Sequence, residues 1–179
     1  MGVVVVGLGN PGPEYRATRH NVGHQVVDRL AEQFRRVWRP EGPTLVARGQ
    51  WRGDPVTLLK PQAFMNVSGP VVAAALRRHG FDAYDLILVY DDIDLPLGTV
   101  RVRLKGRHGG HNGVRSVLEA LGTEDVRRVK VGVGRPDHKT DVPDHVLAPF
   151  EPDELPAAAE AVATAAERVL ALIQGPARR

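Results

Sequence analysis

The chain has 179 residues, 42% hydrophobic and 25% charged, with no cysteine and a net charge of +3. This length suits one domain that buries roughly 70% of its unfolded surface, and the absence of cysteine excludes a disulfide framework, a thiolate metal site and a cysteine nucleophile. No apolar run approaches the ~20 residues of a membrane span, and the chain opens on a strand-like run without a charged n-region; the expectation is a cytoplasmic protein with no signal peptide and no membrane partner.

Residues 3–6 are a continuous valine run, read as a strand buried on both faces and broken by residues 7–13. From residue 21, Val22, Val26, Val27, Leu30 and Phe34 recur at helical spacing, predicting a helix to about 37. Two short strands are expected over 45–50 and 56–60, joined by a hairpin connection at 51–54. Ser68-Gly69-Pro70 reads as a helix start with a capping hydroxyl, and Gly80 as its left-handed end. Residues 86–90 form another apolar strand. Residues 100–104 alternate apolar positions with Arg101 and Arg103, so one face is wet or meets a ligand. A helix over about 113–121 and a strand over 129–133 come next. The last helix, at about 152–174, shows the stripe Leu155, Ala159, Val162, Ala166, Val169 and Ile173 and ends at Gly175-Pro176. The alternation predicts a single three-layer α/β/α domain over 1–179. The two adjacent early strands make its twisted central sheet mixed.

Charge is unevenly placed. Acids outnumber bases in 151–179, so the positive excess lies in 1–150. Residues 95–118 contain no acid but carry Arg101, Arg103, Lys105, Arg107 and Arg115, which fits a phosphate-bearing partner or a solvated charged strand.

There are four asparagines, Asn10, Asn21, Asn66 and Asn112, each near the end of an expected element. An uncharged amide grips a carbonyl or a sugar hydroxyl, and it also favours turns and caps. Gly7-x-Gly9-x-x-Gly12 matches a dinucleotide fingerprint only superficially, because Pro11 interrupts the turn and no apolar helical period comes after it. His20 and His24 stand four apart, and His108 and His111 three apart, but neither pair carries the glutamate of a zinc-protease helix, so no metal is expected. His20, on a polar loop, is the better candidate for acid–base work. Its carboxylate is expected from Tyr90-Asp91-Asp92-Ile93-Asp94, at the carboxyl end of a buried strand. These acids also suit binding the amides of a turn. Residues 106–113 are glycine-rich and run into a helix, as a phosphate cradle or a flexible turn does.

Taken together these motifs resemble the bacterial-type peptidyl-tRNA hydrolases. The matching stretches lie at 6–12, 15–23, 60–69, 91–98, 109–113, 131–136 and 146–150, in the family's order and spacing. The resemblance implies hydrolysis of the ester between a peptide and the 3′-terminal ribose of tRNA, without metal or cofactor. It implies His20 as general base, Asp91 as its orienting acid, and Asn10 on the peptide carbonyl. Tyr15, Phe64, Met65, Asn66 and Asn112 fall on the groove for peptide and 3′ end. Arg103 and Lys130, with Lys105 nearby, fall on the positions for tRNA phosphate. Relatives more often have Lys and Arg at the first two, and Thr where this chain has Ala63. The expected partner is the acceptor end of tRNA, met by a monomer through phosphate rather than base contacts. A different hydrolase on the same scaffold, such as an aminopeptidase-like or nucleosidase-like enzyme, and a non-catalytic RNA-binding module are the alternatives; the module has no need of His20 paired to Asp91.

Overall fold

The structure, a computed structural model, describes residues 2–173. Its strands are β1 (Val3–Gly7), β2 (Arg39–Glu41), β3 (Thr44–Trp51), β4 (Asp54–Pro61), β5 (Leu86–Asp92), β6 (Val100–Arg103) and β7 (Arg127–Gly132). They form one sheet in the order β2-β3-β4-β1-β5-β7-β6. The central pairs β4/β1, β1/β5 and β5/β7 are parallel, and the outer pairs are antiparallel, so the sheet is mixed as expected.

The valine run of β1 sits at the middle of this sheet and is buried throughout. Val3 and Val5 face a core shared with α1 (Val22–Gln33) and α5 (Leu155–Ile173). Val4 and Val6 face a second core built with α2 (Ser68–His79) and α3 (Asn112–Leu121). Strict alternation of side chains across a strand produces this two-sided burial, and with it the three layers. The turn between β3 and β4 is Arg52-Gly53, both at positive φ (50° and 87°), as a two-residue hairpin requires.

Several elements differ from their sequence reading. The first helix ends at Gln33, because Arg35 takes a left-handed φ of 57° and turns the chain towards β2; Val37 lies outside it and is exposed. That short strand, with Pro40 at its centre, gives no apolar signal. Ser68 is inside α2, and its Oγ donates to the Met65 carbonyl at 2.9 Å rather than capping the helix; Gly80 does end α2 in the left-handed region. β6 stops at Arg103 and leaves Leu104 exposed, while β7 begins two residues before its expected start. A short helix α4 (Val142–Val146) precedes α5. On α5 the buried face is Ala158, Ala161, Ala165, Ala166, Val169, Leu170 and Ile173, whereas Leu155 is exposed. Alanine has little preference between core and solvent, so the phase of that stripe is set by packing and not by composition. Gly175 and Pro176 lie outside the described residues.

Gly7 and Gly23 let α1 sit directly on β1. A Cβ on Gly7 would collide with the Gly23 carbonyl, and one on Gly23 with the Val89 carbonyl. Gly9 is closed in the same way by the His24 ring, 2.6 Å from where its Cβ would stand. The glycine spacing thus serves helix–sheet contact, and the turn leads into a short 3₁₀ segment (Pro13–Tyr15), not a phosphate-binding helix.

His24 is buried beneath this turn. Burial, aided by the Lys60 charge, lowers its pKa from 6.5 to about 3 against a weaker opposing hydrogen bond with Pro61. The folded chain therefore holds His24 neutral while the unfolded chain takes up a proton as pH falls through 6.5. Stability supplied by this neutral state is lost progressively on acidification towards pH 3. His24→Gln is expected to lose less melting temperature than the wild type between pH 7 and pH 5, measured by thermal denaturation at each pH; equal losses would sink the assignment.

Candidate active site

His20 lies on a 3₁₀ turn (Arg19–Asn21) between the β1 turn and α1. Its neighbours fasten that turn. The Arg19 backbone N–H donates to Ala148 O at 3.1 Å, and its guanidinium donates to His145 O at 2.9 Å and to Glu154 Oε1 at 2.8 Å. Asn21 clamps Asn10: its Oδ1 accepts from the Asn10 N–H, and its Nδ2 donates to the Asn10 carbonyl, both at 2.9 Å. Asn10 Oδ1 in turn accepts from the Met65 N–H at 2.7 Å. With that oxygen committed, Asn10 Nδ2 is the donor left for a ligand.

Asp91 stands at the end of β5, 2% exposed. Its Oδ2 is 2.8 Å from His20 Nδ1 and its Oδ1 is 2.8 Å from His111 Nε2. Burial alone pushes the Asp91 carboxyl up, but the two imidazoles, by charge and hydrogen bonding, hold it well below the usual carboxylate range. It is an anion with both oxygens bonded.

The protons can be placed. His111 is the N-cap of α3, and its Nδ1 accepts from the N–H groups of Gly113 and Val114 at 3.1 and 3.2 Å. Its proton is therefore on Nε2, donated to Asp91. His20 donates Nδ1–H to the other oxygen, which leaves Nε2 of His20 as the basic nitrogen. The Tyr90 ring supports His111 edge-on, with centroids 5.1 Å apart.

His20, Asp91 and His111 each present one ligand atom within 4.8 Å of the others. The capping bonds argue against a metal here. An ion on His111 Nε2 would drive the ring proton to Nδ1, against two amide donors. The histidine pairs considered from spacing do not assemble: His24 is buried under Gly9, and His108 Nδ1 accepts from the Gly110 N–H at 2.9 Å. The same bonds correct the phosphate-cradle reading of the glycine-rich loop. The amides of Gly110, His111, Gly113 and Val114 all point to acceptors within the loop.

A cavity of about 450 Å³ opens above this trio. Asn10, Tyr15, Phe64, Met65, Asn66, Asn112 and Lys130 line it, together with Tyr90 and His111. Tyr15 and Phe64 meet edge to face, 6.3 Å apart, and Phe64 remains half exposed. The opposite wall is Val142, Pro143, Val146 and Leu147, on and after α4. Lys130 is in the cavity, 3.7 Å from Asp92 Oδ2. Arg103 and Lys105 are exposed beyond it, on β6 and the loop after it.

Residues 4–178 match the model of the peptidyl-tRNA hydrolase family. The chain belongs to this family. It is 44% identical over 177 residues to a peptidyl-tRNA hydrolase of Oceanobacillus iheyensis, covering 96% of this chain and 92% of that one. It is 48% identical over 153 residues to one of Geotalea uraniireducens, covering 85% and 80%. The crystal structure of peptidyl-tRNA hydrolase from Acinetobacter baumannii superposes with a TM-score of 0.92 at 32% identity, covering 97% of this chain and 89% of that one. A 5′-methylthioadenosine nucleosidase from Arabidopsis thaliana, with a TM-score of 0.59 at 10% identity, shares the fold alone.

Within this peptidyl-tRNA hydrolase family site, His111 has two separable jobs. It caps α3 through Nδ1 and binds Asp91 through Nε2. Asparagine can take over the cap but not the bond to Asp91. His111→Ala is therefore expected to be less stable than His111→Asn by about 1 kcal/mol, read from denaturant midpoints. Both variants should lose activity. Equal stability of the two would remove the capping role.

Proposed function

We propose that the cavity takes the 3′ end of peptidyl-tRNA and hydrolyses its ester with a water activated by His20. The observation that carries this is the His20–Asp91–His111 arrangement, with both ring tautomers assigned, beside Asn10 with one amide nitrogen to give. His20 Nε2 accepts a proton as the water oxygen bonds to the ester carbonyl carbon. Asp91 stabilises the imidazolium that forms. Asn10 Nδ2 donates to the peptide carbonyl or to the oxyanion that develops. Collapse breaks the bond to the ribose 3′ oxygen, which recovers the proton from His20. Peptide acid and free tRNA leave, and the chemistry needs no metal.

The apolar walls, Tyr15 with Phe64 and α4 opposite, suit the peptide. Met65 shapes the floor: it is buried, and its thioether occupies the place a side chain on Gly113 would need. Asn66 and Asn112, exposed at the rim, suit sugar and base edges of the 3′ end. Lys130 at the cavity, with Arg103 and Lys105 beyond it, form a track for phosphates. Recognition by phosphate rather than by base suits an enzyme acting on many tRNAs. Phe64 and Leu147, two of the exposed large apolar side chains, line the cavity and so suit substrate, which is consistent with a monomer. A tRNA substrate and a chain without cysteine support work in the cytoplasm; among the described residues no helix is long and apolar enough to cross a membrane.

The decisive assay is cleavage of N-blocked against free aminoacyl-tRNA, with the blocked ester preferred. His20→Ala is expected to lower single-turnover rates by about 10²–10⁴-fold while tRNA affinity stays close to wild type. Collapse of binding with survival of chemistry would show that His20 is not the base. Asp91 orients the His20 ring by accepting its Nδ1–H. Asp91→Asn should lower the single-turnover rate, by less than His20→Ala does, with tRNA affinity close to wild type; a wild-type rate would contradict the pairing.

A further inference from the structure

Arg128, on β7, is the largest of the fully buried side chains and takes no part in the chemistry above. Among the described residues no carboxylate pairs with it. Its guanidinium is caged by oxygens of the backbone instead. Nε donates to Val126 O at 2.7 Å, Nη1 to Arg107 O at 3.0 Å, and Nη2 to Glu124 O at 3.0 Å and to Gly106 O. Nη1 also reaches the Tyr90 hydroxyl at 3.4 Å. Burying a cation without a counter-ion is costly, and only a planar fork of five donors satisfies this many acceptors.

Two of the caged carbonyls, those of Gly106 and Arg107, belong to the loop 104–111 between β6 and α3. Gly106 turns its carbonyl inward from a φ of 152°, which side-chain-bearing residues rarely adopt, and its N–H is tied to Glu124 O at 3.2 Å. With its carbonyls held inward, the loop carries Lys105 and Arg107 exposed on its outer side. The Gly110 and His111 amides further along it are occupied within the loop, and Lys105 and Arg107 are the cationic side chains it offers an anion.

We propose that Arg128 is a positioning residue for tRNA: by gripping the Gly106 and Arg107 carbonyls, it fixes the loop that sets Lys105 and Arg107 against phosphate. This rests on the reading of that basic stretch as a phosphate track. The contact to Tyr90, whose ring lines the cavity, is the longest of the set, and the gripped carbonyls lie at the far end of the loop from His111.

The test uses the full chain and three variants. Arg128→Lys keeps the charge and loses the fork. Gly106→Ala strains the caged carbonyl and leaves Arg128 in place, so it decides the matter if Arg128→Lys does not fold. Lys105→Ala/Arg107→Ala removes the outer charges and tests the phosphate track itself. For folded Arg128→Lys and Gly106→Ala, tRNA affinity should fall several-fold and the salt dependence should flatten by about one phosphate, a slope change of roughly 0.7–0.9. Turnover of a minimal N-blocked aminoacyl ester of adenosine should stay within about two-fold of wild type, a split between binding and chemistry. An unchanged slope in these two, with a flattened slope in the double variant, overturns the role of Arg128 alone. An unchanged slope in all three overturns the phosphate track and this inference with it. Equal loss on the minimal ester and on tRNA would make Arg128 a support of the catalytic cavity, and overturns the proposal as well.

Discussion

The site depends on one buried carboxylate whose two oxygens are both occupied. Asp91 draws His20 from the turn after β1 and His111 from the start of α3, and so joins two segments 91 residues apart in sequence. Each imidazole is useful only in one tautomer, and Asp91, together with the α3 amides, selects it. Hydrogen bonding explains how the carboxylate stays ionised where burial opposes it: two ring N–H groups replace the water it gave up.

The sheet decides where that carboxylate stands. β5 runs parallel to both of its neighbours, so its carboxyl end opens beside the turn after β1. Parallel strands place their C-terminal loops on one edge, and ligands of open α/β sheets gather there. The tight seating of α1 on β1 through Gly7 and Gly23 then fixes the height of His20 above that edge. The Asn10–Asn21 clamp does the rest, by holding the turn before the helix to the turn after the strand.

Much of this was legible in the sequence because it is written in patterns of two kinds. The valine run, the alternation of strands with helices and the Arg52-Gly53 turn come from local periodicity and backbone preference. His20, Asp91, Asn10 and the groove residues were legible through motif and family resemblance, and they converge on one cavity. The features that were not legible depend on contacts between distant segments. His111 reads as half of a metal pair or as loop, and its link to Asp91 exists only once β5 and α3 are neighbours. A carbonyl cage around Arg128 has no sequence signature at all. The α4 wall is one short helix in a proline-rich stretch, and Asn21 is an ordinary cap candidate until Asn10 is found beside it. The glycine-rich loop misled for a related reason: the amides of Gly110, His111, Gly113 and Val114 find partners inside it, and composition cannot show where an N–H points.

Among the described residues, β6 is the outermost strand on its side of the sheet, and one of its edges meets no other strand. An open edge of this kind templates pairing with other chains unless something discourages it. Here Arg101 and Arg103 stand exposed on that strand, and like charges on two copies repel before their backbones can join. The two arginines thus discourage pairing at this edge. Trading them for small neutral side chains would remove that repulsion and leave the edge open to pairing.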